Sequence, residues 1–111
     1  MSAPDPNDHQ ITVQDVHQKL QAGDAMRLID IRGPEYRELA KIEGDEEATD
    51  ELMEELLAMP KDTELVFYCH RGISSLDVTA FFLEQGFENA KSMIGGIGAW
   101  SIEIDPSVPR Y

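Results

Sequence analysis

The stretch LVFYCHRGISS, residues 65–75, joins an apolar run to the single cysteine of the chain. Residues 65–68 are apolar and predict a buried strand. Cys69 follows this strand directly, and one of the two serines that end the stretch can cap a helix that extends to Gln85. A strand, a cysteine loop and a helix therefore follow one another, and the loop is the first candidate site.

Helical and strand patterns alternate on both sides of this stretch. They predict a helix over 13–22, a strand over 27–32, a short helix over 35–40, an amphipathic helix over 45–60, a strand over 90–94, and a turn over 95–100 that leads into a final short helix. This alternation is typical of a parallel sheet with helices on both faces. We predict one α/β domain over residues 11–111 with a sheet of about five strands. Residues 1–10, rich in Pro, Asp and Asn, are predicted to form a flexible tail.

The composition excludes several classes of protein. One cysteine cannot form an internal disulfide or a Cys-x-x-Cys pair, and three scattered histidines do not suggest a metal site, so we expect no metal or cofactor. Nine basic and 22 acidic residues give a net charge of −13, which disfavours nucleic acid and anionic membranes as partners. The first residues do not resemble a signal peptide, and no window approaches the roughly 18 apolar residues of a membrane span. We therefore expect a cytoplasmic protein.

The Cys69 loop has the features of a site for an anionic sulfur. Ligands bind such sheets beyond the carboxyl ends of the strands, which is where Cys69 is predicted to lie. The amides from His70 to Ser75 can curl around a point above the sulfur at a helix N-terminus. Such an environment lowers the pKa of a thiol from about 8.5 towards neutrality. Arg71 adds a positive charge, and Gly72 allows backbone geometry that a side chain would obstruct. The alternative is a free cysteine packed as a small apolar residue.

Several motifs together resemble the rhodanese-like sulfurtransferases. They are LIDIR with a proline and a glutamate after it, PKDTELVFYC before the loop, and GF-N followed by GGIGAW. The ending WSIEIDPSVPRY resembles single rhodanese domains that occur alone or fused to glutaredoxin-like modules in bacteria. The resemblance covers residues 11–111.

The resemblance implies that Cys69 carries sulfur as a persulfide. The amides of the next six residues would line the substrate cradle: His70, Arg71, Gly72, Ile73, Ser74 and Ser75. Asp30 and Arg32 match a family Asp-x-Arg pair, and we expect a buried ion pair or loop-bracing hydrogen bonds from them rather than substrate contact. The donor would be thiosulfate or a thiol or protein persulfide. The acceptor would be cyanide, a small thiol or a protein thiol such as that of a glutaredoxin or thioredoxin.

Further residues near the motifs have expected roles in packing rather than in chemistry. Gly95 and Gly96 are expected to allow close approach of the backbone, and Trp100 is expected in the core. His70 could act as an acid or base, but we interpret it as an exposed loop residue without a task.

The chain departs from the family pattern at two places. Ser74 stands where an arginine is common, which leaves Arg71 as the loop's cation and puts the affinity for thiosulfate in question. AKIEGD, residues 40–45, replaces a Gly-His-Ile-Pro-Gly-Ala stretch, and we interpret this as a changed surface beside the site. A non-catalytic regulatory or interaction module is the alternative function. A phosphatase is disfavoured because Ser75 stands where the His-Cys-x5-Arg loop needs arginine.

Overall fold

The computed structural model describes residues 4–111. In this part of the chain, five strands and five α-helices follow a short 3-10 helix, Pro6–Asp8. The strands are β1 (Gln10–Ile11), β2 (Arg27–Asp30), β3 (Glu46–Glu47), β4 (Leu65–Tyr68) and β5 (Ala90–Met93). The helices are α1 (Val13–Ala22), α2 (Pro34–Leu39), α3 (Asp50–Leu57), α4 (Ser74–Glu84) and α5 (Gly96–Glu103). None of these helices is long and apolar enough to cross a bilayer.

The five strands form one sheet in the order β1-β5-β4-β2-β3, and every neighbouring pair is parallel. The predicted α/β class is therefore confirmed. Strand β4 lies at the centre and pairs with both β2 and β5. Because all strands run in the same direction, their carboxyl ends meet at one edge, and Cys69 lies at the middle of that edge.

Two apolar layers enclose the sheet, one on each face. Helices α1 and α5 cover one face through residues such as Val16 and Trp100, which pack against Val66 of β4. Helices α3 and α4 cover the other face, where Phe82 packs at 4.8 Å, centroid to centroid, from Phe67. All four side chains of β4 are buried, as expected for a central strand covered on both faces. Trp100 lies in the core, as predicted.

The segment 45–60 differs most from its prediction. Only Asp50–Leu57 is helical, and Thr49 caps this helix by accepting a hydrogen bond from the amide of Leu52. The preceding residues instead form β3 at the edge of the sheet, where Glu46 pairs with Ile29. Glu46 also binds Arg27 through both carboxylate oxygens, at 2.6 and 3.0 Å. The start of this segment was predicted as part of the helix because the strand pairing of Glu46 leaves no periodic pattern in the sequence.

The predicted tail is partly structured. Its first residues, 1–3, lie outside the described part of the chain. Within the remainder, Asp5 caps the 3-10 helix, and Gln10 pairs with Ser92 to add an edge strand to the sheet. The prediction of a tail up to residue 10 is therefore wrong at its end, because a strand of two residues is too short to show an alternating pattern.

Candidate active site

The sulfur of Cys69 is surrounded by hydrogen-bond donors from its own loop. The amide of Gly72 donates to Sγ at 3.1 Å and the amide of Ser75 at 3.4 Å. The thiol itself donates to Oγ of Ser75 at 3.4 Å. Helix α4 has no side-chain N-cap, so the sulfur accepts a hydrogen bond that a capping oxygen usually accepts. The structure thus aims amides at Sγ itself, whereas the sequence predicted a cradle above it.

These contacts favour the thiolate form. Burial of Cys69 raises the pKa of its thiol, but hydrogen bonds from the Ser75 hydroxyl and from the amides of Ser75, Gly72 and Arg71 outweigh it. The pKa therefore lies below its ordinary value, in the predicted direction. Only 6 % of the residue is exposed.

A second buried hydroxyl supports Ser75. The oxygens of Ser75 and Ser92 lie 2.7 Å apart, and neither residue is exposed. When Cys69 is ionised, Ser75 can donate to the sulfur while Ser92 donates to Ser75. Ser92 was not predicted as a site residue. The signal in the sequence was a small hydroxyl residue inside the strand predicted over 90–94, which forms β5.

Glycines allow the loop to pack tightly against the start of α5. Gly72 has φ +85°, and a Cβ there would lie 2.7 Å from the amide nitrogen of Gly95. A Cβ on Gly96 would lie 2.6 Å from the carbonyl oxygen of His70. The amides of Ile97 and Gly98 donate to the carbonyls of Cys69 and His70 at 2.9 and 3.0 Å. The close approach predicted for Gly95 and Gly96 is confirmed.

A group of charged and polar side chains lies beside the loop, and we call it the buried ion cluster: Asp30, Arg32, Arg37, Asp45 and Tyr68. Within it, the Asp30 carboxylate accepts hydrogen bonds from Nε and Nη2 of Arg32 at 2.9 and 2.8 Å. Arg32 also donates to the carbonyl of Ala40 at 2.6 Å. The side chains of Asp30 and Arg32 are 0 % and 5 % exposed, respectively. The predicted ion pair between Asp30 and Arg32 is present.

The other three members of the cluster were missed in the sequence. Arg37 bridges the two carboxylates, at 2.9 Å from Asp30 and 2.8 Å from Asp45. Tyr68, the residue before Cys69, donates its hydroxyl hydrogen to Asp45 at 2.5 Å. Burial and this hydrogen bond raise the pKa of Tyr68, so the phenol stays protonated. The side chain of Asp45 is only 3 % exposed. Lys41, Glu43 and Gly44 of the AKIEGD stretch are exposed, as expected for a changed surface, but Asp45 belongs to a buried pair.

A cleft of about 260 Å³ opens beside Cys69. It is lined by Ile31, Arg32, Tyr36, Cys69, His70, Ser74 and Tyr111. His70 is half-buried because its ring stacks on Tyr111, with centroids 4.2 Å apart, so its interpretation as an exposed residue is wrong. Of the other predicted loop residues, Ile73 is 72 % exposed. The side chain of Arg71 lines a different depression, together with Arg110.

A family model matches most of the chain. Residues 12–103 match the model of the Rhodanese-like domain family. The chain belongs to the rhodanese-like domain family.

Two relatives with similar sequences have sulfurtransferase in their names. The chain is 30 % identical over 84 residues to thiosulfate sulfurtransferase GlpE of Pseudoalteromonas translucida, and the match covers 75 % of this chain and 80 % of that protein. It is 31 % identical over 104 residues to the probable adenylyltransferase/sulfurtransferase MoeZ of Mycobacterium tuberculosis. That match covers 91 % of this chain but 26 % of MoeZ, so the chain spans about a quarter of this longer relative.

Solved structures agree on the rhodanese fold. The human single-domain sulfurtransferase TSTD1 superposes with a TM-score of 0.71 at 22 % identity, covering 85 % of this chain and 96 % of that chain. The reduced CoADR-RHD protein of Bacillus anthracis superposes with a TM-score of 0.73 at 22 % identity, covering 93 % of this chain and 18 % of that chain. At these identities the likeness establishes the fold.

Proposed function

We propose that this rhodanese-like protein is a sulfurtransferase that carries sulfane sulfur as a persulfide on Cys69. The observation that supports this most is the position of Sγ at the N-terminus of α4, where two amides donate to it and a cleft opens beside it. A thiolate in this position is both stabilised and reachable, as a nucleophile must be.

The proposed reaction has two displacement steps. The Cys69 thiolate attacks the outer sulfur of the donor, and the S–S bond of thiosulfate breaks with its electron pair leaving on sulfite. The outer sulfur of the resulting persulfide is then attacked by cyanide or by a thiolate. This second step gives thiocyanate or an acceptor persulfide and restores the Cys69 thiolate. Since the chain has one cysteine, the acceptor must come from another molecule.

The charges near Cys69 favour a donor other than free thiosulfate. The net charge of −13 repels a dianion. Arg71, the loop's cation, lines a depression that does not include Cys69. Ser74 stands where an arginine would face the donor in many family members. We therefore expect weak turnover of dilute thiosulfate and better use of a thiol or protein persulfide.

Intact-mass spectrometry of the reduced protein tests the carrier role. After exposure to thiosulfate or to a low-molecular-weight persulfide, we expect a gain of one sulfur atom that cyanide removes. The Cys69→Ser variant is the matched control and should gain none. Absence of an adduct with every sulfur donor would contradict the proposal and favour a non-catalytic interaction module. Efficient turnover of dilute thiosulfate would contradict the expected donor preference alone.

The same loop makes phosphate-ester hydrolysis a poor alternative. Ser75, at the position of the arginine in a His-Cys-x5-Arg loop, is fully buried and bound to Ser92. A phosphate dianion would therefore lack the bidentate guanidinium partner that such loops supply. Hydrolysis of an aryl phosphate that is abolished by Cys69→Ser would contradict this argument.

A further inference from the structure

The cleft beside Cys69 is larger than a small inorganic anion requires. Its volume of about 260 Å³ approaches the roughly 300 Å³ at which pockets for drug-sized molecules begin. The space therefore allows a bulky group to lie next to the transferred sulfur. Three of the residues that line it have aromatic rings: Tyr36, His70 and Tyr111.

These three rings form one row with Tyr111 in the middle. The rings of Tyr111 and His70 are nearly parallel, with an angle of 13° and centroids 4.2 Å apart. Tyr36 stacks against Tyr111 at 5.8 Å and 27°. The hydroxyl of Tyr111 accepts a hydrogen bond from Nη1 of Arg32 at 2.6 Å. Tyr111 is thus held by two rings and one guanidinium, although 38 % of it is exposed.

The cleft offers little positive charge to a dianion. Arg32 is the one arginine or lysine among the residues that line it, and its guanidinium is already bound to Asp30, to the carbonyl of Ala40 and to Tyr111. Arg71 and Arg110 line a second depression, which shares only His70 and Tyr111 with the cleft. Apart from Arg32 and Ser74, the walls beside Cys69 are therefore aromatic or apolar, and they suit a flat group better than a compact anion.

We propose that this cleft binds the group attached to the transferred sulfur, that it selects flat, apolar groups such as aromatic rings, and that Tyr111 determines this selectivity. The proposal rests on the proposed function and deepens it by naming the class of donor. Tyr111 lies outside residues 12–103, the segment that matches the family, whereas Tyr36 and His70 lie within it.

An aryl thiosulfonate is the simplest donor with these features. The Cys69 thiolate would attack its terminal sulfur, and the bond between the two sulfur atoms would break. The electron pair would leave on the aryl sulfinate, and Cys69 would hold the persulfide. Charge is conserved, because a thiolate and a thiosulfonate give a persulfide anion and a sulfinate. The ring of the sulfinate would lie in the cleft against Tyr111.

The test compares benzenethiosulfonate with methanethiosulfonate, which share the reacting group and differ in the ring. The quantity measured is the ratio of their kcat/KM values, with cyanide as acceptor. We expect Tyr111→Ala to lower this ratio about three- to tenfold, in line with the usual strength of an aromatic contact. Tyr111→Phe, which retains the ring, should keep the ratio. Phe81→Ala removes another exposed ring, on α4, and is the matched control that should leave it unchanged. An unchanged or higher ratio in Tyr111→Ala would overturn the proposal.

Binding of the product separates this proposal from the proposed function. Benzenesulfinate and methanesulfinate do not need persulfide chemistry to bind, so each can be titrated into the reduced protein while the His70 ring is followed by NMR. We expect the aromatic sulfinate to bind several-fold more tightly and to shift the His70 signals. Equal affinities would overturn the selectivity even if persulfide forms. Selective binding without persulfide from any donor would instead contradict the sulfurtransferase function.

Discussion

The Cys69 loop and the buried ion cluster lie side by side at the carboxyl edge of the sheet, and they stabilise charge in opposite ways. In the loop, neutral amides and a hydroxyl face a single sulfur, and the groups that lower its pKa include no ionised side chain. In the cluster, two carboxylates face two guanidinium groups at 2.8 to 2.9 Å. The comparison shows why only one of them is suited to chemistry. Charges in the cluster are neutralised by each other, whereas the thiolate remains available to an incoming electrophile.

Among the substitutions that test this comparison, Cys69→Ser should have the largest effect. Sulfur transfer to cyanide should be lost completely, because no other thiol exists in the chain. The serine oxygen can still accept the amide hydrogen bonds, so the free energy of unfolding should change by about 1 kcal/mol or less. Thiocyanate formation and urea denaturation measure the two quantities. Residual transfer above the uncatalysed rate would place the carrier elsewhere.

Breaking the buried ion cluster should lower the free energy of unfolding. Asp30→Ala removes the carboxylate that Arg32 and Arg37 share, and it leaves buried positive charge unpaired. We expect the free energy of unfolding to fall by about 3–5 kcal/mol, as for other buried pairs that lose one partner.

The control for this change is a more exposed pair. Glu46→Gln weakens the contact with Arg27. Because the Glu46 side chain is 34 % exposed, the free energy of unfolding should fall by about 1 kcal/mol or less. Urea denaturation of both variants makes the comparison. Similar losses in the two would show that burial of the cluster does not matter to stability.

A moderate effect is expected on the ionisation of Cys69. Its alkylation by iodoacetamide should follow a titration whose midpoint lies below the pKa of an ordinary free thiol. Ser75→Ala removes a donor that favours the thiolate, so the midpoint should rise by about one pH unit. Because the folded pKa is below the unfolded one, the thiolate stabilises the fold above the unfolded pKa. This contribution is lost as the pH falls through the folded pKa. A midpoint that falls in Ser75→Ala would contradict the proposed hydrogen-bond direction.

The smallest effect should come from the outer hydroxyl. Ser92→Ala leaves Ser75 in place but removes its neighbour at 2.7 Å. We expect the midpoint of alkylation to rise by less than it does in Ser75→Ala, and Ser92→Thr to restore it in part. The pH profile distinguishes this positioning role from simple packing, which would alter stability without moving the midpoint. An unchanged pH profile in Ser92→Ala would show that only groups of the Cys69 loop stabilise the thiolate.

The elements that were predicted best are those whose pattern is local. The helix over 13–22 and the strand over 65–68 were found with their observed bounds, because a helical apolar spacing and a short apolar run each need only neighbouring residues. The helix over 45–60 was predicted too long, because β3 forms by pairing with β2. Local sequence propensity cannot show that the edge of β2 is available for strand pairing.

The residues of the candidate site also divide into those that follow from a local stretch of sequence and those that depend on long-range contacts. Cys69 and its amide donors come from one continuous stretch of residues 69–75, so the sequence by itself determined the candidate nucleophile, its strand and its helix. The partners of Asp45, Ser92 and Tyr111 were decided only by the tertiary structure. Each of them contacts a residue distant in the chain, since Asp45 binds Tyr68, Ser92 binds Ser75, and Tyr111 stacks on His70. A buried polar pair has no periodic signature, and its members become recognisable only when folding places them within hydrogen-bond distance.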